Sequence, residues 1–352
     1  MQTKPESDWQ KMKRKILIFV FIFFIIFSGG MLLLRERSNR IINSGTVEDN
    51  RTLMGTSWII KIPLDNDVDR DSAQSAADSA FMELARIEEV MSEWQPDTPV
   101  SLINSAAGSH PVEAPEELVS IIERGIEYGN LSRGAFDITW LGMGHLWTFE
   151  DDFRVPEENE IKEAVRRIDF RKIVLSGNSV FLPDPGMAIG LGGIAKGYAI
   201  DRAGLIIRQA GIGNFLVDGG GDILAFGSIN GRTWRVGIRD PRGGRTDLIR
   251  KLSVSGGAVV TSGDYERARI VDGRRYHHII DPRTGYPADK CRSVTIFSPE
   301  AEKADVLATA VFVLGPEEGL ELVKQEGDSE ALIIDASGEI FKTAGFEGLI
   351  AK

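Results

Sequence analysis

Gly190-Leu191-Gly192-Gly193-Ile194-Ala195-Lys196-Gly197-Tyr198-Ala199-Ile200-Asp201, the apolar run that continues to Ala210, and a second cluster, Asp218-Gly219-Gly220-Gly221-Asp222, read together as loop, helix, short strand, glycine turn and strand. The glycines before Ile194 free the backbone to turn sharply and to approach a ligand closely. The helix behind them opens with unpaired N–H groups, and Lys196 sits in that first turn as a mobile positive charge. The stretch is therefore a candidate phosphate cradle. A tight turn packed on the core is the competing reading. The stretch lacks the third glycine of the dinucleotide fingerprint, and no Gly-Lys-Ser or Gly-Lys-Thr follows it.

Around this centre the chain has 352 residues, enough for one large or two ordinary domains. Its net charge of −11 argues against a nucleic-acid partner, which needs a basic footprint. Cys291 is the single cysteine, so an internal disulfide and cysteine-rich zinc or iron–sulfur sites are excluded. Near the N-terminus Lys11, Lys13, Arg14 and Lys15 precede an uncharged apolar run from Ile16 to Leu34. That run just reaches a bilayer span of roughly 20 residues. The leading positive cluster favours a cytoplasmic N-terminus, against which Arg35, Arg37 and Arg40 weigh. A cleaved signal peptide is the alternative, for which Ser28-Gly29-Gly30 is a poor cleavage site. The expectation is a cytoplasmic segment 1–15, an uncleaved transmembrane anchor 16–34, a linker 35–52, and an extracytoplasmic domain 53–352 at a bacterial cytoplasmic membrane.

Apolar spacing predicts helices over Ser72–Trp94, capped by Asp71 or Ser72, and over Pro115–Tyr128, Pro156–Ile168, Ala301–Leu314 and Pro316–Gln325. Strands are predicted over Ser57–Leu64, Phe215–Val217, Ile223–Phe226, Thr233–Arg239, Ser255–Thr261, Arg275–Ile280 and Arg292–Phe297. Hairpins are predicted over Lys172–Leu182 and across Ala331–Asp335 and Glu339–Phe341. Without regular strand–helix alternation this is an α+β fold of mixed or antiparallel sheets with packed helices.

Asp305 and Thr309 stand four apart on a predicted helix and share one face. A carboxylate and a hydroxyl are hard oxygen donors suited to Mg²⁺, although a cap or a solvated face would look the same. Asp305 lies in the otherwise apolar stretch Ala304–Val313, where an acid needs a partner or exposure. His277 and His278 are adjacent in a predicted strand and so face opposite ways. At most one points into a given site, and no zinc triad is available. Trp94 and Phe136 are candidate flat walls for a ring-bearing ligand, or ordinary core. Glycine loop, Lys196, metal face and aromatics together favour phosphoryl or nucleotidyl chemistry on a nucleotide-like ligand.

Met54-Gly55-Thr56, Met91-Ser92 with Trp94, Ala135-Phe136-Asp137, the two glycine clusters, Thr261-Ser262-Gly263-Asp264-Tyr265, His278-Ile279-Ile280-Asp281-Pro282-Arg283-Thr284-Gly285 and Ala304-Asp305-Val306-Leu307-Ala308-Thr309-Ala310 occur in an order that resembles the ApbE family of bacterial FAD:protein FMN transferases. The resemblance covers nearly everything after the apolar run and implies an ApbE-like fold. It also implies Mg²⁺ as cofactor, FAD as substrate, and transfer of FMN to a threonine or serine hydroxyl of a target flavoprotein, with release of AMP. Implied targets are subunits of Rnf-type complexes or sodium-pumping quinone reductases. FAD hydrolysis to AMP and FMN, or a non-catalytic FAD-binding assembly factor, are the alternatives.

By the same resemblance, Asp305, Thr309 and Gly193 are the metal ligands. Met54, Trp94, Ala135, Phe136, Asp137, Lys196, His278 and Ile279 contact FAD. Lys196, His278 and Asp281 are the catalytic candidates, and His278, Asp281 or the metal could each assist the target hydroxyl. The chain departs from the family pattern at Gly190, where many relatives carry aspartate, at Ile138 in place of a proline, and over Leu141–His145.

Overall fold

The computed structural model describes residues 41–43, 45–65, 67–149 and 153–351. The expected cytoplasmic segment and membrane anchor lie outside the described residues, and among the described residues no helix is long and apolar enough to cross a membrane.

The molecule is built on a nine-stranded sheet in the order β1-β2-β3-β7-β8-β12-β15-β16-β17. These strands are β1 (Ile41–Asn43), β2 (Thr46–Leu53), β3 (Thr56–Pro63), β7 (Phe215–Gly219), β8 (Asp222–Phe226), β12 (Gly256–Gly263), β15 (Cys291–Ser298), β16 (Glu330–Asp335) and β17 (Ile340–Lys342). Every pairing in it is antiparallel, so the expected α+β class holds and no parallel crossover is needed.

Period-two alternation splits the strands between two cores. Val217, Val260, Ile296 and Ile333 face the helices α1 (Arg70–Met91), α5 (Ala195–Gln209) and α6 (Ala301–Leu314). Their neighbours Leu216, Val259, Leu332 and Ile334 face the opposite way, with Trp234, Val236, Leu252 and Phe346. The last four come from a small sheet of β9 (Ser228–Ile229), β10 (Arg232–Arg239) and β11 (Leu248–Val254), and from the C-terminal turn. The middle of the sheet is thus covered on both faces, which is why β7, β12, β15 and β16 carry apolar runs.

A third cluster lies beside α4 (Glu158–Val165). There Trp147 stacks on Tyr276, at 5.8 Å between ring centroids, and its indole N–H donates to Gly285 O at 2.9 Å. Tyr276 belongs to the hairpin of β13 (Ala268–Val271) and β14 (Arg274–His277). The remaining elements are α2 (Pro99–Ser105), α3 (Glu116–Leu131), α7 (Pro316–Glu326), and β4 (Val112–Glu113), β5 (Val174–Ser176) and β6 (Ser179–Phe181), which form one sheet.

Four expectations change. The domain does not begin at Leu53: residues 46–52, read as linker because they are polar, form most of β2, which pairs with β3 along its length and buries Val47 and Asp49 in alternation. The cap of α1 is Asp69, whose carboxylate accepts from Ser72 N–H at 2.8 Å. The strand expected to reach Ile280 stops at His277, where the chain leaves the hairpin. Helix α2 and strands β11 and β13 were missed, since each is too short or too polar for periodicity to register.

Helices α5 and α6 meet more closely than ordinary side chains allow. A Cβ on Gly197 would lie 2.7 Å from Glu302 Cα and would overlap the Ala301 carbonyl. Gly197→Ala is expected to cost about 1–3 kcal/mol by overpacking, measured as a lowered denaturant midpoint at unchanged slope. A midpoint equal to that of the unmodified chain would show that the two helices separate freely.

Candidate active site

The glycine loop is set from three directions. Asn104 on α2 clamps the segment entering it: its side-chain amide donates to Ile189 O at 2.9 Å, and its carbonyl accepts from Ile189 N–H at 2.7 Å. Gly190 N–H donates to Ile138 O at 2.8 Å, and Gly190 O accepts from the Trp140 indole at 3.0 Å. A Cβ on Gly190 would lie 2.7 Å from Trp140 Nε1, so in this chain the indole fills the space into which a longer side chain would project. Burial pushes the carboxyl of Glu93, just past α1, above the usual range, while the Leu191 N–H draws it back down.

Beyond the loop, α5 begins without a side-chain cap of its own. Asp305 Oδ2 on α6 supplies the missing acceptor, taking the Gly197 N–H at 3.0 Å. In return Asp201 on α5 takes the N–H groups of Ala301 and Glu302 at the start of α6, both at 2.9 Å. Each helix thus finishes the other's open N-terminus. Burial raises the Asp305 carboxyl, while Lys196 and the Gly197 N–H pull it down.

Lys196, expected as a mobile charge, is instead pinned by one carboxylate, with a second close by. Its ammonium pairs with Asp222 and stands 3.9 Å from Asp305 Oδ1. Asp222 is buried and opens β8 directly after a two-residue turn in which Gly220 and Gly221 both take positive φ, 71° and 101°. Its other oxygen accepts from Thr261 N–H at 3.1 Å. The second glycine cluster therefore serves to deliver a carboxylate to Lys196.

Thr309 stands one turn beyond Asp305. A Cβ on Gly193 would lie 3.4 Å from Thr309 Oγ1 and 3.0 Å from the Phe136 ring. The structure thus gathers Gly193, Phe136, Lys196, Asp305 and Thr309 in one place. Among the described residues no group of three His, Cys, Asp or Glu side chains could hold a metal. The donors present, one carboxylate, one hydroxyl and backbone oxygen, suit Mg²⁺, which takes few protein ligands and completes its shell with water and phosphate.

The Ala135-Phe136-Asp137 segment is buried. Asp137 is spent inside it: Oδ1 accepts from the Thr139 N–H and hydroxyl at 2.7 and 2.6 Å, and Oδ2 from Phe170 N–H at 3.2 Å. It shapes the loop that holds Phe136. Met54 sits at the tip of the β2–β3 hairpin with φ 48°, a conformation unusual for a residue other than glycine. Trp94, next to Glu93 in the chain, is 72% exposed and so is no part of the core.

The two histidines divide: His277 ends β14, and His278 lies just beyond it. His277 is buried: its ring shares Nε2 with Ala288 O at 2.7 Å, and Nδ1 accepts from Ile279 N–H at 3.3 Å. His278 is exposed. Desolvation by the chain around it, then the charges of His277, Arg267 and Lys196, hold it below the ordinary imidazole value, and its solvent access moderates that displacement. Ile279 is buried. Asp281 is engaged elsewhere, in a fork with Arg283 at 2.8 Å on both oxygens.

This ordered set of motifs matches the ApbE family model over residues 54–333. The chain belongs to the ApbE family. A protein of Treponema pallidum named FAD:protein FMN transferase is 37% identical over 289 residues, 77% of this chain and 80% of that protein. One of Klebsiella pneumoniae with the same name is 32% identical over 84% of this chain and 92% of that protein. Among solved structures, the ApbE protein of Thermotoga maritima aligns with TM-score 0.80 at 34% identity, covering 87% of this chain and all of that one. The flavin transferase ApbE of Vibrio cholerae aligns with TM-score 0.77 at 26% identity, covering 86% and 99%. The fold is thus ApbE-like, and the family is one of transferase enzymes.

Sequence reasoning overlooked Asp222, Glu93, Asn104 and Asp201 as parts of this ApbE site. Only Asp222 carried a signal, being an acid at the mouth of the apolar strand Ile223–Phe226. Asn104 and Glu93 act through backbone groups that are distant in the chain, and spacing does not register such contacts.

Burial lowers the His277 pKa from the ordinary 6.5. The unfolded chain therefore binds that proton more readily, and stability falls as pH drops through 6.5. The expected result for His277→Gln is lower stability at pH 8, by about 1–2 kcal/mol, with a shallower acid-side decline. Denaturant midpoints measured across this pH range check it. An unchanged slope would assign the titration to another group.

Proposed function

We propose that the chain transfers the FMN moiety of FAD to a threonine or serine hydroxyl of a target flavoprotein in a Mg²⁺-dependent reaction. The observation that carries this reading is the meeting of Asp305, Thr309, Gly193 and Lys196 at the mouth of a glycine loop, in a chain similar to proteins named FAD:protein FMN transferases. The acceptor oxygen forms a bond to the FMN-side phosphorus as the bond to the bridging oxygen breaks. AMP leaves with that electron pair, and the hydroxyl proton passes to a base.

Each residue has a part in this scheme. Asp305 and Thr309, with Gly193, hold Mg²⁺, which when bound neutralises pyrophosphate charge. Lys196 presents its ammonium to the same phosphates from the first turn of α5. Phe136 walls the site beside Gly193, and Met54, Trp94 and Ile279 frame the flavin nucleotide. His278 is favoured over Asp281 as proton acceptor, because it is neutral and accessible while the Asp281 carboxylate is closed by Arg283.

The same proposal places the domain outside the cytoplasm, tethered by Ile16–Leu34. There it would meet membrane-bound acceptors such as subunits of Rnf-type complexes or sodium-pumping quinone reductases. Because β2 starts at Thr46, tests of this reading use the full chain in mild detergent.

With FAD, Mg²⁺ and a threonine-bearing acceptor, the acceptor's intact mass is expected to rise by one FMN phosphoester. Asp305→Ala and Thr309→Val should each slow that gain by on the order of a hundredfold or more. Release of AMP and FMN without labelling of any acceptor would replace transfer by hydrolysis. Tight FAD binding without cleavage would leave a binding protein.

A further inference from the structure

Lys196 has two buried carboxylates within reach and satisfies only one. Its ammonium closes on Asp222, while Asp305 Oδ1 stays at 3.9 Å, beyond hydrogen-bond length. Asp305 is otherwise tied through Oδ2 to the Gly197 N–H, so Oδ1 is the oxygen left without a hydrogen bond. Asp222 does not wander: it opens β8 at the glycine turn, is 5% exposed, and is held through Oδ1 by the Thr261 N–H. A rigid acid thus grips a flexible ammonium. A lysine ammonium is a compact point charge on a four-carbon stem, and it follows whichever carboxylate is nearest.

We propose that Asp222 is a positioning residue that holds Lys196 off Asp305, and so keeps one Asp305 oxygen for a divalent cation. This rests on the reading of the site as one for Mg²⁺ and FAD. Without the Asp222 charge, the nearest carboxylate to the ammonium is Asp305. A movement of about 1 Å brings the two to contact distance, and an incoming cation must then displace an ion pair before it binds. With Asp222 in place, Lys196 keeps its charge beside the phosphates without competing for the metal's ligand. Of the two acids that meet Lys196, one receives the metal and the other restrains the lysine.

The test is a double-mutant cycle read as Mg²⁺ affinity, by isothermal titration of the full chain in mild detergent with FAD present and no acceptor. Asp222→Asn preserves the oxygen that accepts from Thr261 and removes the charge. It is expected to weaken Mg²⁺ binding about tenfold or more. In a Lys196→Met background the same substitution is expected to cost distinctly less, because no ammonium remains to fall onto Asp305. Asp222→Glu, which keeps the charge, should retain most of the affinity, whereas a purely structural role gives no reason for the charge to matter. Asp222→Ser replaces Asp222→Asn should the latter fail to fold.

Equal losses with and without the Lys196→Met substitution would overturn the proposal and leave the metal site standing. Absence of Mg²⁺ binding by the unmodified chain would overturn the metal reading and this inference with it.

Discussion

Two carboxylates crossing between neighbouring helices hold this molecule's centre. Asp201 reaches from α5 to the amide groups that open α6, and Asp305 reaches from α6 to an amide group in the first turn of α5. An uncapped helix end buried beneath a sheet would strand several N–H groups, at about 1–3 kcal/mol for each one left unpaired. Mutual capping removes that cost, but it demands that the helices approach at Gly197, where no side chain fits. The glycine loop, Lys196 and Thr309 then have no freedom to be elsewhere, because each is a few residues from one of the two caps.

The surrounding elements aim other groups at this pair of helices. Antiparallel β7 and β8, joined by a two-glycine turn, bring Asp222 to Lys196. The Asn104 clamp and the Trp140 indole fix the loop entering α5. The edge-on contact of His277 with Phe312, 5.4 Å between centroids, seats the His278 segment on α6. Several charged groups here are thus partly structural and partly chemical. Asp305 is both a cap and a buried carboxylate whose second oxygen stands 3.9 Å from the Lys196 ammonium. A carboxylate fully satisfied by amides and ammonium would be stable and inert, whereas this one keeps an oxygen in reserve.

Much of the fold was legible in the chain. The spans of α6 and α7 and the strands on either side of the second glycine cluster follow from periodicity, because each has an apolar face and a glycine or proline at its end. The lack of strand–helix alternation gave the α+β class and left mixed and antiparallel sheets both open. Strand β2 was not legible. Its residues Thr46–Leu53 are mostly polar, and they are held by pairing with β3 more than by burial. The short hairpin strands and α2 were equally silent, since a few residues carry too little periodicity to stand out.

For the site, the sequence alone proposed some members and their local geometry: the glycines that permit a close backbone, and the Asp305 and Thr309 pair one helical turn apart. Helical and strand geometry project such residues in directions that are fixed locally. The tertiary structure decided what those residues do with one another. It turned Lys196 from a mobile charge into a restrained one, spent Asp137 on its own loop and Asp281 on Arg283, and recruited Asp222, Asn104 and Glu93. These outcomes depend on which groups meet across long separations in the chain. Electrostatic and hydrogen-bond partners are chosen by distance in space, and the order of residues along the chain does not state that distance.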